Sequence, residues 1–431
     1  MNSQDAANTQ QPDVRRVSRR EFGWSTVAAT LGAGLAARGT LSAQTSQTAA
    51  SSQLAQNAAA VAAVTGKPIR IGSNENPYGL GPAALAAVTA VCPEANRYPG
   101  ASIMELTARL AEVHSVSRDR ILLSPGSGEI LRAATRAFTS SSKSLVEASP
   151  TFENPGRTAK MSGAQVFDIP VTAGGSMDLP AMAAKAAGSG MFFICNPNNP
   201  TGGVSSAASI EEFVASVRKV SPDALILIDE AYFEYVEDPS YATAIPLTAK
   251  DPRIIVSRTF SKIHGMAGLR VGYAIGDPDA LGQMRSYMSQ GSISGLSAST
   301  ALASLNDTAN MAKQVAMNKD ARAYTVKAFT DAGFKVLPTQ ANFVMVDVKR
   351  DSSSFQASCR EQGVMIARSF PPLSTHARVS IGTMDEMKRA MAVMLPLLST
   401  APASARMEPV TLPESISAGV MVDESDLLFA C

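Results

Sequence analysis

The chain has few of the residues that build metal centres, disulfide frameworks or nucleic-acid interfaces. Its 431 residues hold four cysteines, Cys92, Cys195, Cys359 and Cys431, widely spaced and without a CxxC pair. That spacing supplies neither a zinc site nor a disulfide scaffold. Only three histidines occur, His114, His264 and His376, which argues against a His-built metal centre. A basic run is lacking and the formal net charge is +1, so the electrostatic footprint of a nucleic-acid binder is missing. No apolar run reaches the ~20 residues that a membrane-spanning helix needs. What remains is the composition of a globular enzyme, 45% apolar and 17% charged, over a length that suits more than one core.

Residues 1–43 read as an address rather than as fold. Ser18-Arg19-Arg20-Glu21-Phe22 precedes a mild Ala/Gly-rich apolar run from Gly23 to Ala37, and Leu41-Ser42-Ala43 stands where a cleavage site belongs. A charged region, a short apolar region and a small-residue site make a signal peptide. The paired arginines and weak hydrophobicity point to the twin-arginine route and a periplasmic or exported protein. Residues 44–66 are Ala, Gln, Ser and Thr with almost no large apolar side chain, and read as a linker. Residues 400–431 form a Pro/Ser/acidic tail without helical periodicity.

Between these termini the pattern is α/β. Seven apolar runs, 121–123, 145–147, 165–169, 191–195, 224–228, 254–257 and 271–275, alternate mainly with helix-like stretches. That alternation predicts one doubly wound, mainly parallel sheet in a large domain over 99–300. Leu225-Ile226-Leu227-Ile228 is continuously apolar, as a strand covered on both faces requires. Near residue 300 the texture changes to a long helix over 306–332, then strands over 343–348 and 377–381 and helices over 353–362 and 385–398. These predict a smaller α+β unit over 301–399. Residues 67–98 read as an N-terminal arm.

Chemistry concentrates in Ser257-Arg258-Thr259-Phe260-Ser261-Lys262, which continues to Arg270. Thr259, Ser261 and Arg270 offer hydroxyl donors and a bidentate cation to a phosphate. A lysine beside a phosphate site suits an enzyme that bonds the aldehyde of pyridoxal phosphate. Upstream, strand 121–123 runs through Gly126-Ser127-Gly128 into a helix, a turn whose unpaired N–H groups attract an anion. Asp229 ends a buried strand, where open α/β sheets place ligands. A carboxylate there keeps a pyridine nitrogen protonated.

Together these segments resemble the fold-type I aminotransferases of class I/II, and within them the histidinol-phosphate aminotransferase group, over roughly residues 67–399. The most specific match is Asn196-Pro197-Asn198-Asn199-Pro200-Thr201-Gly202. The resemblance implies a pyridoxal-phosphate enzyme in which Lys262 forms a Schiff base with the cofactor. It gives Asp229 to the ring nitrogen and Asn199 and Tyr232 to the phenolic oxygen. Phe152 stacks on the ring, and the backbone of Gly126, Ser127 and Gly128 joins Thr259, Ser261 and Arg270 at the phosphate. Arg378 grips the substrate carboxylate, Asn76 and Tyr78 line the pocket, and Arg368 meets a distal anion. Tyr98 crosses to the neighbouring site of a homodimer. Glu230 reads as structural.

The expected reaction is transfer of an amino group between an amino acid, or a histidinol-phosphate-like amine, and a 2-oxo acid. The same cofactor serves decarboxylases, racemases, β-lyases and oxidases, and a non-catalytic exported binding protein is a reading of another class. Export carries its own test, because the single tryptophan, Trp24, lies in the address segment. Cleavage takes the formal net charge from +1 to −1 and removes that indole. Purified periplasmic protein should show no tryptophan emission; an indole signal there contradicts cleavage.

Overall fold

The computed structural model describes residues 68–399 apart from residues 290 and 292. The address segment, the linker and the tail fall outside the described residues. Twelve strands are named in chain order. They are β1 (Ile69–Ile71), β2 (Ile121–Ser124), β3 (Ser144–Ser149), β4 (Val166–Pro170), β5 (Ser189–Cys195) and β6 (Leu225–Asp229). β7 (Ile254–Thr259), β8 (Gly272–Ile275), β9 (Lys335–Val336), β10 (Phe343–Asp347), β11 (Val364–Ile366) and β12 (His376–Ser380) follow.

Seven strands form the main sheet, in the order β2-β8-β7-β6-β5-β3-β4. All are parallel except β8, which runs antiparallel to both neighbours. The reason for the continuous apolar runs is visible in the packing. Val146, Phe192, Ile226 and Ile254 face one buried cluster. Their chain neighbours Leu145, Met191, Leu225 and Ile255 face another. With both faces covered, alternation of apolar and polar residues has no place.

A second core gathers around the antiparallel sheet β12-β10-β9. The changeover comes at Asp307, which accepts a hydrogen bond from the Asn310 backbone to start the helix Thr308–Asp331. The helix before it, Gly295–Asn306, buries Ala298 and Ala301 in the first core. The later helix buries Ala321 and Phe329 in the second.

One pairing departs from the expected arm. β1 pairs in parallel with β11, and Ile69 and Ile71 sit in the second core. The stretch that opens the fold is therefore clamped onto its C-terminal elements. Gly72 to Asn76 are carried from that clamp toward the loops after β6 and β7.

Within β3, Glu147 is buried between Val146 and Ala148, and one of its carboxylate oxygens, Oε2, has no hydrogen-bond partner among the described residues. It faces Gly156 so closely that an added Cβ there would collide with it. Burial first, then the nearby Asp168 carboxylate, pushes its pKa from 4.5 to about 8. The folded state thus holds a proton here that the unfolded chain releases. This stabilisation is complete below pH 4.5 and is lost as pH rises to about 8. Glu147→Gln should flatten the fall in melting midpoint across that window and raise the midpoint above it. An unchanged pH profile would show that Glu147 is ionised in the fold.

Candidate active site

The C-terminal ends of β5, β6 and β7 converge on one place. β6 ends at Asp229 and β7 runs on to Thr259, Ser261 and Lys262. Asp229 is 3% exposed and Lys262 4% exposed. Their charges interact, the lysine favouring ionisation of the acid. Burial raises the Asp229 pKa to about 6, held back by a hydrogen bond from Ser257 Oγ at 2.7 Å. The Ser257 hydroxyl and the Lys262 charge thus both favour the carboxylate form of Asp229 against its burial. Lys262 Nζ lies 5.7 Å from the centre of the Tyr232 ring. Tyr232 is itself buried, and its hydroxyl accepts a hydrogen bond from Asn74 Nδ2 at 3.0 Å.

A cradle for an anion sits beside this group. The helix Ser127–Phe138 starts directly after Gly126, which has φ +81°. An alanine there would drive its Cβ into the Arg270 guanidinium. Arg270 has left-handed backbone, φ 55° and ψ 67°, a strained state for a side chain of its size. That backbone brings Nη1 within 3.2 Å of Ser261 Oγ and 3.0 Å of the Ala267 carbonyl. Ser261 N–H donates to Thr259 Oγ1 at 3.1 Å. Hydroxyls, a guanidinium and the N–H groups of a first helical turn thus meet at one point.

The Asn-Pro-Asn-Asn-Pro-Thr-Gly loop divides its work. Asn196 exchanges two hydrogen bonds with Ser205, at 3.0 and 2.9 Å, and shapes the loop. Asn198 holds Pro150 O at 3.1 Å and accepts from Thr151 at 2.7 Å, so it fixes the segment that carries Phe152. Asn199 Oδ1 accepts from Arg378 Nη1 at 2.6 Å. Arg378 also donates from Nη2 to Gly72 O at 2.7 Å and stacks 4.7 Å from the Phe370 ring. Its buried Nε has no partner among the described residues, and burial lowers its pKa to about 10.

Arg378, Asn199 and Phe152 line a cleft of about 480 Å³. Seven arginines border it against two glutamates, Glu75 and Glu153. Arg368 is one of them, half-exposed, paired with Glu153 at 2.6 Å. This charge balance favours an anionic guest.

Not every expected residue joins this group. Tyr98 is fully exposed and away from the cleft of its own chain. Asn76 and Tyr78 do not line this cleft, and neither do Asp229, Tyr232, Lys262 and Arg270. Asn76 instead donates to Ile263 O at 2.7 Å and Gln314 at 2.5 Å, fixing the residue after Lys262. Tyr78 N–H donates to Asn76 Oδ1, completing that turn. Asn74, two residues earlier, does line the cleft, on a left-handed backbone of φ 53° that asparagine tolerates. Glu230 is structural: it forms a buried ion pair with Arg258 at 2.7 Å and accepts from the Ala244 backbone at 2.6 Å.

The chain belongs to the aminotransferase class I and II family, whose model matches residues 66–394. Among its relatives, the histidinol-phosphate aminotransferase of Symbiobacterium thermophilum is 35% identical over 324 residues, covering 74% of this chain and 88% of that protein. The histidinol-phosphate aminotransferase of Bacillus subtilis is 34% identical, covering 77% and 92%. A solved structure from Erwinia carotovora atroseptica, provisionally named a histidinol-phosphate aminotransferase, has 35% identity and a TM-score of 0.74, covering 77% and 96%. A Sinorhizobium meliloti histidinol-phosphate aminotransferase solved in complex with pyridoxal-5'-phosphate shares the fold at 24% identity and a TM-score of 0.71. The chain is an aminotransferase, and its cofactor is pyridoxal phosphate.

The residues present fit that cofactor. Its phosphate would fit the Gly126–Arg270 cradle, where the glycine leaves room for a guanidinium held on left-handed backbone. Its basic ring nitrogen matches a buried carboxylate, its aldehyde a buried amine, and its phenolic oxygen the Asn199 and Tyr232 side chains.

Proposed function

We propose that this aminotransferase moves an amino group between an amino acid, or a histidinol-phosphate-like amine, and a 2-oxo acid, through a covalent bond between Lys262 and the cofactor. The observation that supports this most is a buried lysine whose charge interacts with a buried aspartate, both at strand ends beside an anion cradle. A buried amine, a buried carboxylate and an anion cradle at one sheet edge match the aldehyde, the ring nitrogen and the phosphate of the cofactor.

Pyridoxal phosphate, when bound, supplies an aldehyde for amines and a protonated ring that takes up the electron pair left by proton removal. Asp229 would hold the positive charge on the ring nitrogen. Asn199 and Tyr232 orient the phenolic oxygen, while Arg270, Ser261 and the first turn after Gly126 hold the phosphate. Phe152 supports the ring's face. Once the substrate's amine has displaced it from the cofactor, the free Lys262 Nζ would take the substrate's α-proton and return it, its burial keeping water from competing. Arg378 receives a substrate carboxylate, its unpartnered Nε supplying one more donor. Arg368 and the other cleft arginines suit a distal anion, a phosphate among them.

The active unit in this reading is a homodimer exported by the twin-arginine route, with Tyr98 reaching the partner's phosphate. Support for a second copy comes from the helix Pro82–Val91. It is almost wholly apolar, yet only Ala84 is buried and Leu85 stays 56% exposed. Met104 nearby in sequence is 65% exposed. Apolar surface left open in this way marks an interaction face.

Reduction of the holoenzyme with borohydride, followed by peptide mass spectrometry, tests the covalent assignment. The cofactor's mass should appear on the peptide containing Lys262, and Lys262→Ala should lower transamination about 10³-fold or more. The mass on a different lysine, or full turnover in Lys262→Ala, contradicts the proposal.

A further inference from the structure

β6 and β7 lie side by side in parallel, with Asp229 registered against Ser257. The apolar run Ile254-Ile255-Val256 breaks at Ser257, although the position is as buried as its neighbours, with no exposed surface. A hydroxyl in such a place is costly unless it is used. It has one charged partner: Ser257 Oγ donates to Asp229 Oδ1 at 2.7 Å. Backbone bonds hold the strand ends as well: Glu230 N to Ser257 O joins β6 to β7, and Asn196 N to Asp229 O joins the end of β5 to β6, each 2.9 Å. Side chains alternate along β7, so Ser257 and Thr259 face the site while Arg258 faces away toward Glu230.

We propose that Ser257 is a positioning residue of the transamination site: its hydroxyl holds one oxygen of Asp229, fixing the carboxylate's rotation and its charge, and leaves the other oxygen for the ring nitrogen. This rests on the assignment of Asp229 to that nitrogen. Other groups around Asp229 do not replace the hydroxyl. Cys195 on β5 is neutral, its thiol pushed well up by burial. Tyr232 is buried and Tyr241 partly buried, and desolvation raises the pKa of both phenols. Glu230 is engaged by Arg258 and opposes ionisation of Asp229. Lys262 favours the charge but is the group that reacts. Ser257 alone serves the aspartate without a second task in the chemistry.

Apoprotein of the wild type, Ser257→Ala, Ser257→Cys, Ser257→Thr and Asp229→Asn is titrated with pyridoxal phosphate from about pH 5 to about pH 9, following absorbance of the bound cofactor. Circular dichroism of each variant confirms folding. A charge-assisted hydrogen bond of this kind predicts that Ser257→Ala weakens cofactor binding roughly tenfold or more. The acid limb of the affinity profile should move toward neutral pH, because Asp229 then protonates earlier. Ser257→Thr, which keeps the hydroxyl, should restore both features; Ser257→Cys, an isosteric weak donor, should behave as alanine and carries the comparison if alanine does not fold. Asp229→Asn should lose affinity further and lose that acid limb. Wild-type affinity and pH profile in Ser257→Ala or Ser257→Cys, with Asp229→Asn impaired, overturn the role of Ser257. Wild-type binding in Asp229→Asn as well overturns the assignment of Asp229 itself.

Discussion

The structure turns on keeping a carboxylate and an amine out of water at the same strand ends. Burial alone pushes Asp229 toward the neutral acid, and the raised pKa of about 6 is the residue of that tendency. Two local forces oppose it, the Ser257 hydroxyl and the Lys262 charge. The parallel sheet makes this possible because its strands end together at one edge, where backbone is freed for loops and side chains project toward a ligand. The continuous apolar runs supply the energy to hold such groups in place, since both faces of the sheet are closed by packing.

The second constraint is linkage between the two cores. Arg378 on β12 reaches Asn199 after β5 and Gly72 after β1. Asn74 ties Tyr232 to Ser380 through bonds of 3.0 and 2.8 Å. Asn342 adds a hydrogen bond to Asn74 O at 3.0 Å. Each is a buried polar contact, and each would leave an unpaired group if the cores shifted. Arg378 is thus aimed by residues from both cores. Movement between them would change Arg378 and Tyr232 together.

Much of this was legible in the sequence, for physical reasons. Runs such as Leu225–Ile228 announce a covered strand, and the seven runs named the seven strands of the main sheet. Ser261, Lys262 and Arg270 gather because one loop carries all three. What escaped was short or long-range. β9 and β11 have only two and three residues, too few for a periodic pattern, and the pairing of β1 with β11 is decided by distant parts of the chain. The clamp of β1 onto β11 could not be read from Ile69-Arg70-Ile71. Asn74 and Asn76 look alike in sequence; the left-handed turn sends the first into the site and the second into the loop after Lys262. Ser257 was hidden in a hydroxyl-rich motif, since only the register of β6 against β7 sets it opposite Asp229.

The central claim is that Lys262 and Asp229 hold opposite ends of one aromatic ring. A crystal structure of the holoenzyme tests it most directly. The account predicts continuous density from Lys262 Nζ to the cofactor, with the ring nitrogen at hydrogen-bonding distance, about 2.7 to 2.9 Å, from an Asp229 oxygen. A ring bound with its nitrogen toward solvent, or with Lys262 turned away from it, contradicts the account.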